Sequence, residues 1–266
     1  MLRSMYSGIS GMKNFQTKLD VIGNNIANVN TFGYKKGRVN FKDMVSQSIS
    51  GATGSGDNSG GINPKQVGLG SQLSSIDTID TQGSLQTTGR VLDIGIQGDG
   101  YLMVERGDTT YYTRAGNLYL DDSANLVTAS GDLVLDKSEN PINLGDATKI
   151  KSLSIANDGT INYLIDGNDT LQEKGPIGVA RFNNNGGLEK IGDNLYKNTV
   201  NSGEATELNP GENGAGVLVS GTLEMSNVDL SEEFTEMITA QRGFQANTRI
   251  ITTSDEILQE LVNLKR

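Results

Sequence analysis

The chain has 266 residues and a formal net charge of −10, with no His, no Cys and no Trp. Those absences exclude a thiol nucleophile, a Ser-His-Asp triad, imidazole acid–base chemistry, a zinc finger and any disulfide framework. Hydrophobic residues are 35%, below the usual ~45–50%, so core material is thin. An elongated or assembly-dependent molecule is expected.

The charge is polarised. Residues 1–42 carry +6, residues 224–266 carry −4, and the middle carries −12. Ends of opposite sign attract each other or neighbouring copies. An acidic total argues against nucleic acid, which needs a basic footprint. The opening Met1–Gly8 lacks the apolar run of a Sec signal, and no stretch reaches the length of a membrane span, so no membrane insertion is expected.

Residues 1–30 read as a helix. Leu2, Met5, Ile9, Met12, Phe15, Leu19, Ile22, Ile26 and Val29 fall at steps of three or four and form one apolar stripe. Gly8, Gly11 and Gly23 weaken that helix by ~1 kcal/mol each against Ala, so it needs a partner. Residues 31–71 read as an extended, flexible linking segment, Gly/Ser-rich over 48–61. The basic run Lys35-Lys36-Gly37-Arg38 is either a solvated helix end or a patch for acidic neighbours.

Residues 72–215 change to period two and predict an all-β domain. Val91–Ile96, Tyr101–Val104, Tyr111–Thr113, Leu118–Leu120, Leu133–Leu135, Ile177–Phe182 and Leu195-Tyr196 are strand candidates separated by Gly/Asn/Asp turns. Gly95–Gly100 scatters its glycines like a nucleotide loop, but no helix follows and no Gly-Lys-Ser/Thr appears. Asp121–Asn125 and Asp166–Asp169 lack the EF-hand pattern and read as turns. A carboxylate pair for sugar hydrolysis has few aromatic walls to work with, at 5% aromatics. No cofactor, metal or catalytic residue is expected.

Residues 216–228 read as a return link and 229–266 as a second helix. Asp229 with Glu232 resembles a capping box, and Glu232, Glu233 and Glu236 suit the positive end of the helix dipole. Leu230, Phe234, Met237, Gln241, Phe244, Thr248, Ile251, Leu258 and Val262 fit one heptad seam with Asp255 in it, and Lys265-Arg266 close the helix. The fold class is therefore α+β: terminal helices pairing as a coiled coil, with an inserted all-β domain. Off-seam Ile238, Ile250, Ile257 and Leu261 widen the second apolar face toward further neighbours.

Three segments carry a family resemblance. Leu19–Lys35 contains Asn24, Asn25, Asn28, Thr31 and Gly33. Tyr112–Asn117 with Leu126–Thr128 lies in the β region. Gly221–Leu230 contains Ser226, Asn227 and Val228. Together they resemble the flagellar rod and hook axial proteins nearly end to end. Glu233–Ile238 and Gln241-Arg242-Gly243-Phe244-Gln245-Ala246-Asn247 resemble a hook protein of the short Gram-positive type more than a distal rod protein, although the length suits the rod. The resemblance implies a subunit that polymerises helically with itself in the bacterial flagellum, with inner helices and an outer β domain. It also implies type III export and, as partners, the distal rod, hook cap, hook–filament junction proteins and export apparatus. A secreted β-domain enzyme or carbohydrate-binding module is the alternative from another class.

Overall fold

The computed structural model describes residues 2–54, 60–146, 149–166 and 170–264, with Leu2 in backbone only. Two compact units emerge. The first joins the segments before residue 28, 37–78 and from 229 onward; the second joins 28–36 with 79–228.

In the first unit, helix α1 (Leu2–Ala27) is followed by strands β1 (Gly37–Asp43), β2 (Ser46–Ser50), β3 (Lys65–Gly68) and β4 (Ser71–Thr78). Helix α2 (Leu230–Asn263) returns at the chain's end. Asp229 caps it, accepting from the Ser231 amide at 2.8 Å and that of Glu232 at 3.4 Å, which satisfies donors that a helix start leaves bare. The closing pair Lys265-Arg266 lies outside the described residues.

The helices pack antiparallel. Gly8 faces Ile251, Gly11 faces Asn247 and Gly243 faces Phe15; Lys18 pairs with Glu236 at 3.1 Å; Asn25 Nδ2 donates to Glu233 at 3.2 Å. Glycines of one helix receive larger side chains of the other. A Cβ on Gly243 would lie 2.6 Å from Phe15 Cζ, so glycine lets the phenyl ring sit against the backbone. Of the three glycines that weaken α1, Gly8 and Gly11 sit against α2, whereas Gly23 faces open space.

Residues 37–78 correct the expected flexible linker. β1 pairs antiparallel with β4, from Gly37↔Thr78 to Asp43↔Ser71 with a bulge at Asn40/Phe41. β2 pairs with β3 beyond it, and Thr53 bridges Ile62. The ribbon lies on α1 through Phe15–Phe41 (6.5 Å between ring centroids) and through Asn14 Nδ2 donating to Ser71 Oγ at 2.8 Å. Serine and glycine between its apolar residues hid the period from the sequence, and each strand's partner lies tens of residues away. The Gly/Ser tract at 55–59 is outside the described residues.

The second unit holds β5 (Leu85–Thr87), β6 (Ile94–Gln97), β7 (Tyr101–Arg106), β8 (Thr109–Thr113), β9 (Leu118–Leu120), β10 (Leu126–Thr128), β11 (Leu133–Val134) and β12 (Ile150–Ile155). It continues with β13 (Ile161–Ile165), β14 (Gln172–Lys174), β15 (Val179–Arg181), β16 (Glu189–Gly192), β17 (Leu195–Lys197), β18 (Thr206–Leu208), β19 (Val217–Ser220) and β20 (Thr222–Glu224). The main sheet runs β16-β17-β8-β7-β11-β10-β9, with β15 joining β7 to β18. Strand β7 explains its own unbroken apolar run. Leu102 and Val104 enter one core cluster, whereas Tyr101 and Met103 enter another with Tyr112, Phe182 and Tyr196. Alternate residues of a strand face opposite sides, so both faces of β7 are covered.

Two expected boundaries move. Residues 72–78 belong to the ribbon of the first unit, and 216–228 are no mere link: β19 pairs with β6 and β20 with β5. Asp121–Asn125 is a turn, with the Asp121 amide donating to the Asn125 carbonyl at 3.0 Å. Of the other ion-loop candidate, residues 167–169 lie outside the described residues.

Candidate functional site

Lys35, Arg114 and Glu224 are 1%, 1% and 0% exposed at their side chains. They come from the three segments that carried the resemblance. Lys35 Nζ donates to Glu224 Oε1 at 2.8 Å and to the Thr81 carbonyl at 2.9 Å. Arg114 Nη1 donates to Glu224 Oε2 at 3.1 Å, and Nη2 to the Gly98 carbonyl at 2.9 Å. The Gly83 amide also donates to Glu224 Oε1, at 3.0 Å. One carboxylate thus serves two cations. Burial, then the nearby Arg114 cation, holds the Lys35 ammonium below its ordinary pKa, while Glu224 and Asp80 act the other way. Both sequence readings of Lys35, solvated terminus and outward patch, give way to a buried ion pair.

The backbone around this hub is equally specified. The Gly33 amide donates to the Glu224 carbonyl at 2.8 Å. Asn227 Oδ1 accepts from the Lys36 amide at 2.8 Å, and its Nδ2 donates to the Ile79 carbonyl at 2.8 Å. Asn194 Nδ2 reaches the Phe32 carbonyl, and Lys190 Nζ the Lys35 carbonyl. Tyr101 lies under Arg114 at 5.3 Å and donates its hydroxyl to Asp80 Oδ2 at 2.9 Å. Burial pushes the Tyr101 and Tyr196 hydroxyls above the ordinary tyrosine range, and that of Tyr112 up to about 12. The arrangement ties three distant chain segments into one unit.

Gly33 has φ +70, and a Cβ there would lie 2.6 Å from the Arg114 carbonyl carbon and 2.7 Å from the Ala115 nitrogen. Gly33→Ala is expected to cost ~3 kcal/mol or more, from left-handed strain and overpacking against backbone together. Urea unfolding of the purified chain measures it; an unchanged midpoint would refute the close approach.

The remaining motif residues have local work. Buried Asn25 donates from Nδ2 to the Gly37 carbonyl and accepts at Oδ1 from the Gly37 amide, both at 2.9 Å, while also bonding Glu233. It clasps α1, β1 and α2 together. Asn28 Oδ1 accepts from Thr31 Oγ1 at 3.1 Å. Ser226 Oγ accepts from the Val228 amide, and Val228 is buried. Asn24, Gln241 and Arg242 lie on the exposed side of their helices.

The seam residues divide. On α1, Ile22 is buried, Met5, Met12, Phe15, Leu19 and Ile26 are half-buried, and Ile9 is exposed; the side chain of Leu2 is outside the description. On α2, Met237, Phe244, Ile251 and Leu258 are half-buried, whereas Leu230, Phe234, Gln241 and Val262 are exposed. The fully buried positions of α2 are Glu233, Ala240 and Ser254, seven and fourteen residues apart, a pattern that the sequence reading passed over because it followed the larger apolar side chains. Glu233 and Asn25 were missed as partners too; a carboxylate beside an Asn more than two hundred residues away leaves no local signal.

Among the described residues of the first unit, Ile22 and Ala240 are the buried apolar side chains. Phe234 (50% exposed), Ile238 (57%), Ile250, Ile257 and Leu261 all face solvent on α2. No described helix is long and apolar enough to cross a membrane.

Comparison with known proteins accounts for this pattern. Residues 5–35 match the family model "Flagella basal body rod protein", residues 95–163 "Flagellar hook protein FlgE/F/G D1 domain", and residues 219–264 "Flagellar basal body rod FlgEFG protein C-terminal". The flagellar basal-body rod protein FlgG of Bacillus subtilis is 60% identical over 267 residues, covering both chains in full. That of Caulobacter vibrioides is 40% identical over 268 residues, covering 99% of this chain and all of the relative. The flagellar hook protein FlgE of Borreliella burgdorferi is 32% identical over an alignment of 441 residues that covers both chains in full, so it carries long segments absent here. Matched at both helical ends and in the β region, the chain belongs to the flagellar rod and hook proteins, structural components of the bacterial flagellum and not enzymes.

Proposed function

We propose that the protein is a basal-body rod subunit of the distal-rod kind that polymerises helically with copies of itself. The observation that carries polymerisation is the first unit's nearly absent core beside its exposed apolar faces. At ~25 cal/mol per Å² of apolar surface removed from water, such faces gain little in a monomer and much against neighbours. Two surfaces are suited to this. One is the outward side of α2. The other is the ribbon, where exposed Val45, Ile49 and Val67 stand among small polar residues and a lone two-stranded ribbon is marginal in water. In this reading α1 and α2 form the inner coiled-coil layer, and the seam residues serve partly inside a subunit and partly between subunits. Rod, hook-side and export components of the flagellum are its further partners.

The choice of rod over hook revises the preference drawn from Gly243-Phe244-Gln245. Full-length similarity at equal length to rod relatives supports the rod, and so does the absence of the extra length that the hook relative carries. Electron microscopy of basal bodies from a strain lacking this chain tests it. Loss of the rod tip is expected; an intact rod with the hook alone missing would return the assignment to the hook.

A further inference from the structure

The sequence contains two Asn-Gly pairs, Asn185-Gly186 and Asn213-Gly214, and the fold treats them differently. We propose that Asn213 is a site of spontaneous deamidation in the folded protein, whereas Asn185 is protected. In this reaction the Gly214 nitrogen attacks Asn213 Cγ and a new N–Cγ bond forms. The Cγ–Nδ2 bond breaks, and Nδ2 leaves as ammonia with the proton given up by the Gly214 amide. Water then opens the succinimide at either carbonyl to give aspartate or isoaspartate. The attack needs a free side-chain amide and an unhindered following nitrogen.

Asn213 meets both needs. It lies exposed in the turn between β18 and β19, with φ +46. Among the described residues its side chain makes no hydrogen bond, and the Gly214 amide donates none. The turn itself is held from either side of the pair: the Ala215 amide donates to the Glu212 carbonyl at 2.8 Å, and the Gly211 amide to the Gly216 carbonyl at 3.1 Å. Arg181 Nη1 donates to the Asn213 backbone carbonyl at 3.2 Å, so a new carboxylate would arise near that guanidinium and beside Glu212. Asn185 is the opposite case. Its Nδ2 donates to the Asp80 carboxylate and its Oδ1 is shut from solvent. Its backbone is fixed in a single 3-10 turn, with the Leu188 amide donating to the Asn185 carbonyl at 3.2 Å. Freeing that side chain requires breaking a hydrogen bond to a charged group inside the unit.

The consequence is one added negative charge on a chain already at −10. In the isoaspartyl product, the backbone between Glu212 and Ala215 is also one methylene longer. The test incubates the full chain at mildly alkaline pH, in native buffer and in urea. Peptide mass spectrometry follows amide loss at each position, and labelling with protein isoaspartyl methyltransferase follows the isoaspartyl product. In native buffer Asn213 is expected to lose its amide at least ~10-fold faster than Asn185, the factor that one hydrogen bond to a charged group commands. In urea the two rates should converge, since both residues precede glycine. Asn213→Gln should remove the methyl label from the peptide that carries position 213. Equal native rates of amide loss at the two positions, or a label on that peptide that survives Asn213→Gln, would overturn the proposal.

Discussion

Glu224→Gln is expected to destabilise the β-rich unit by ~3–5 kcal/mol, the usual cost of removing one partner from a buried ion pair. The substitution keeps the size of the side chain and can keep some of its hydrogen bonds. What it removes is the charge. Lys35 and Arg114 would then share a dry pocket without the carboxylate they both contact at 2.8 and 3.1 Å. Lys35→Met in the wild-type background should cost less, because Arg114 and Glu224 still neutralise each other. Combining the two substitutions should recover part of the loss, since a single cation remains. Urea unfolding of the four proteins measures this cycle. A wild-type midpoint for Glu224→Gln would mean that the charge at position 224 is immaterial, whatever the distances suggest.

The second large effect separates packing within a subunit from packing between subunits. Ile238→Asp changes an exposed side chain on α2 and should leave monomer stability within ~0.5 kcal/mol of wild type, as surface substitutions usually do. Polymer formation should be lost, because a carboxylate would enter an apolar contact between copies without a partner. Ile251→Asp should behave differently. Its side chain packs against α1, and Cγ1 lies 3.5 Å from where a Cβ on Gly8 would stand. A charge there should loosen the helix pair in the monomer by ~2–4 kcal/mol as well as block assembly. Circular dichroism of dilute monomer and electron microscopy under polymerising conditions distinguish the two. Normal filaments from Ile238→Asp would remove the outward face of α2 from the assembly contact.

Legibility in the sequence varied with the range of the interaction. The two helices were visible because their apolar residues recur within a few positions, and the Asp229 cap lies beside the helix it starts. β7 was visible because four consecutive apolar residues between glycine turns have few other uses. The ribbon of 37–78 was not. Its strands are rich in serine and glycine, its apolar residues are sparse, and each strand is stabilised by another far along the chain. The α2 seam was half legible. Large apolar residues drew attention to Phe234 and Leu230, which face outward, while the buried positions are the small Ala240 and Ser254, and Gly243 leaves room for the Phe15 ring.

By itself the sequence determined the class of molecule. Zero His and zero Cys removed most catalytic chemistry, the terminal stripes marked two helices in need of partners, and the resemblance of the motif segments pointed to a flagellar axial protein. Only the tertiary structure decided what those motifs do. Lys35 and Glu224 are 189 positions apart, and nothing in either neighbourhood announces the other. Each is an ordinary charged residue until burial makes an unpaired charge too costly, and that burial exists only once three distant segments have closed around Arg114.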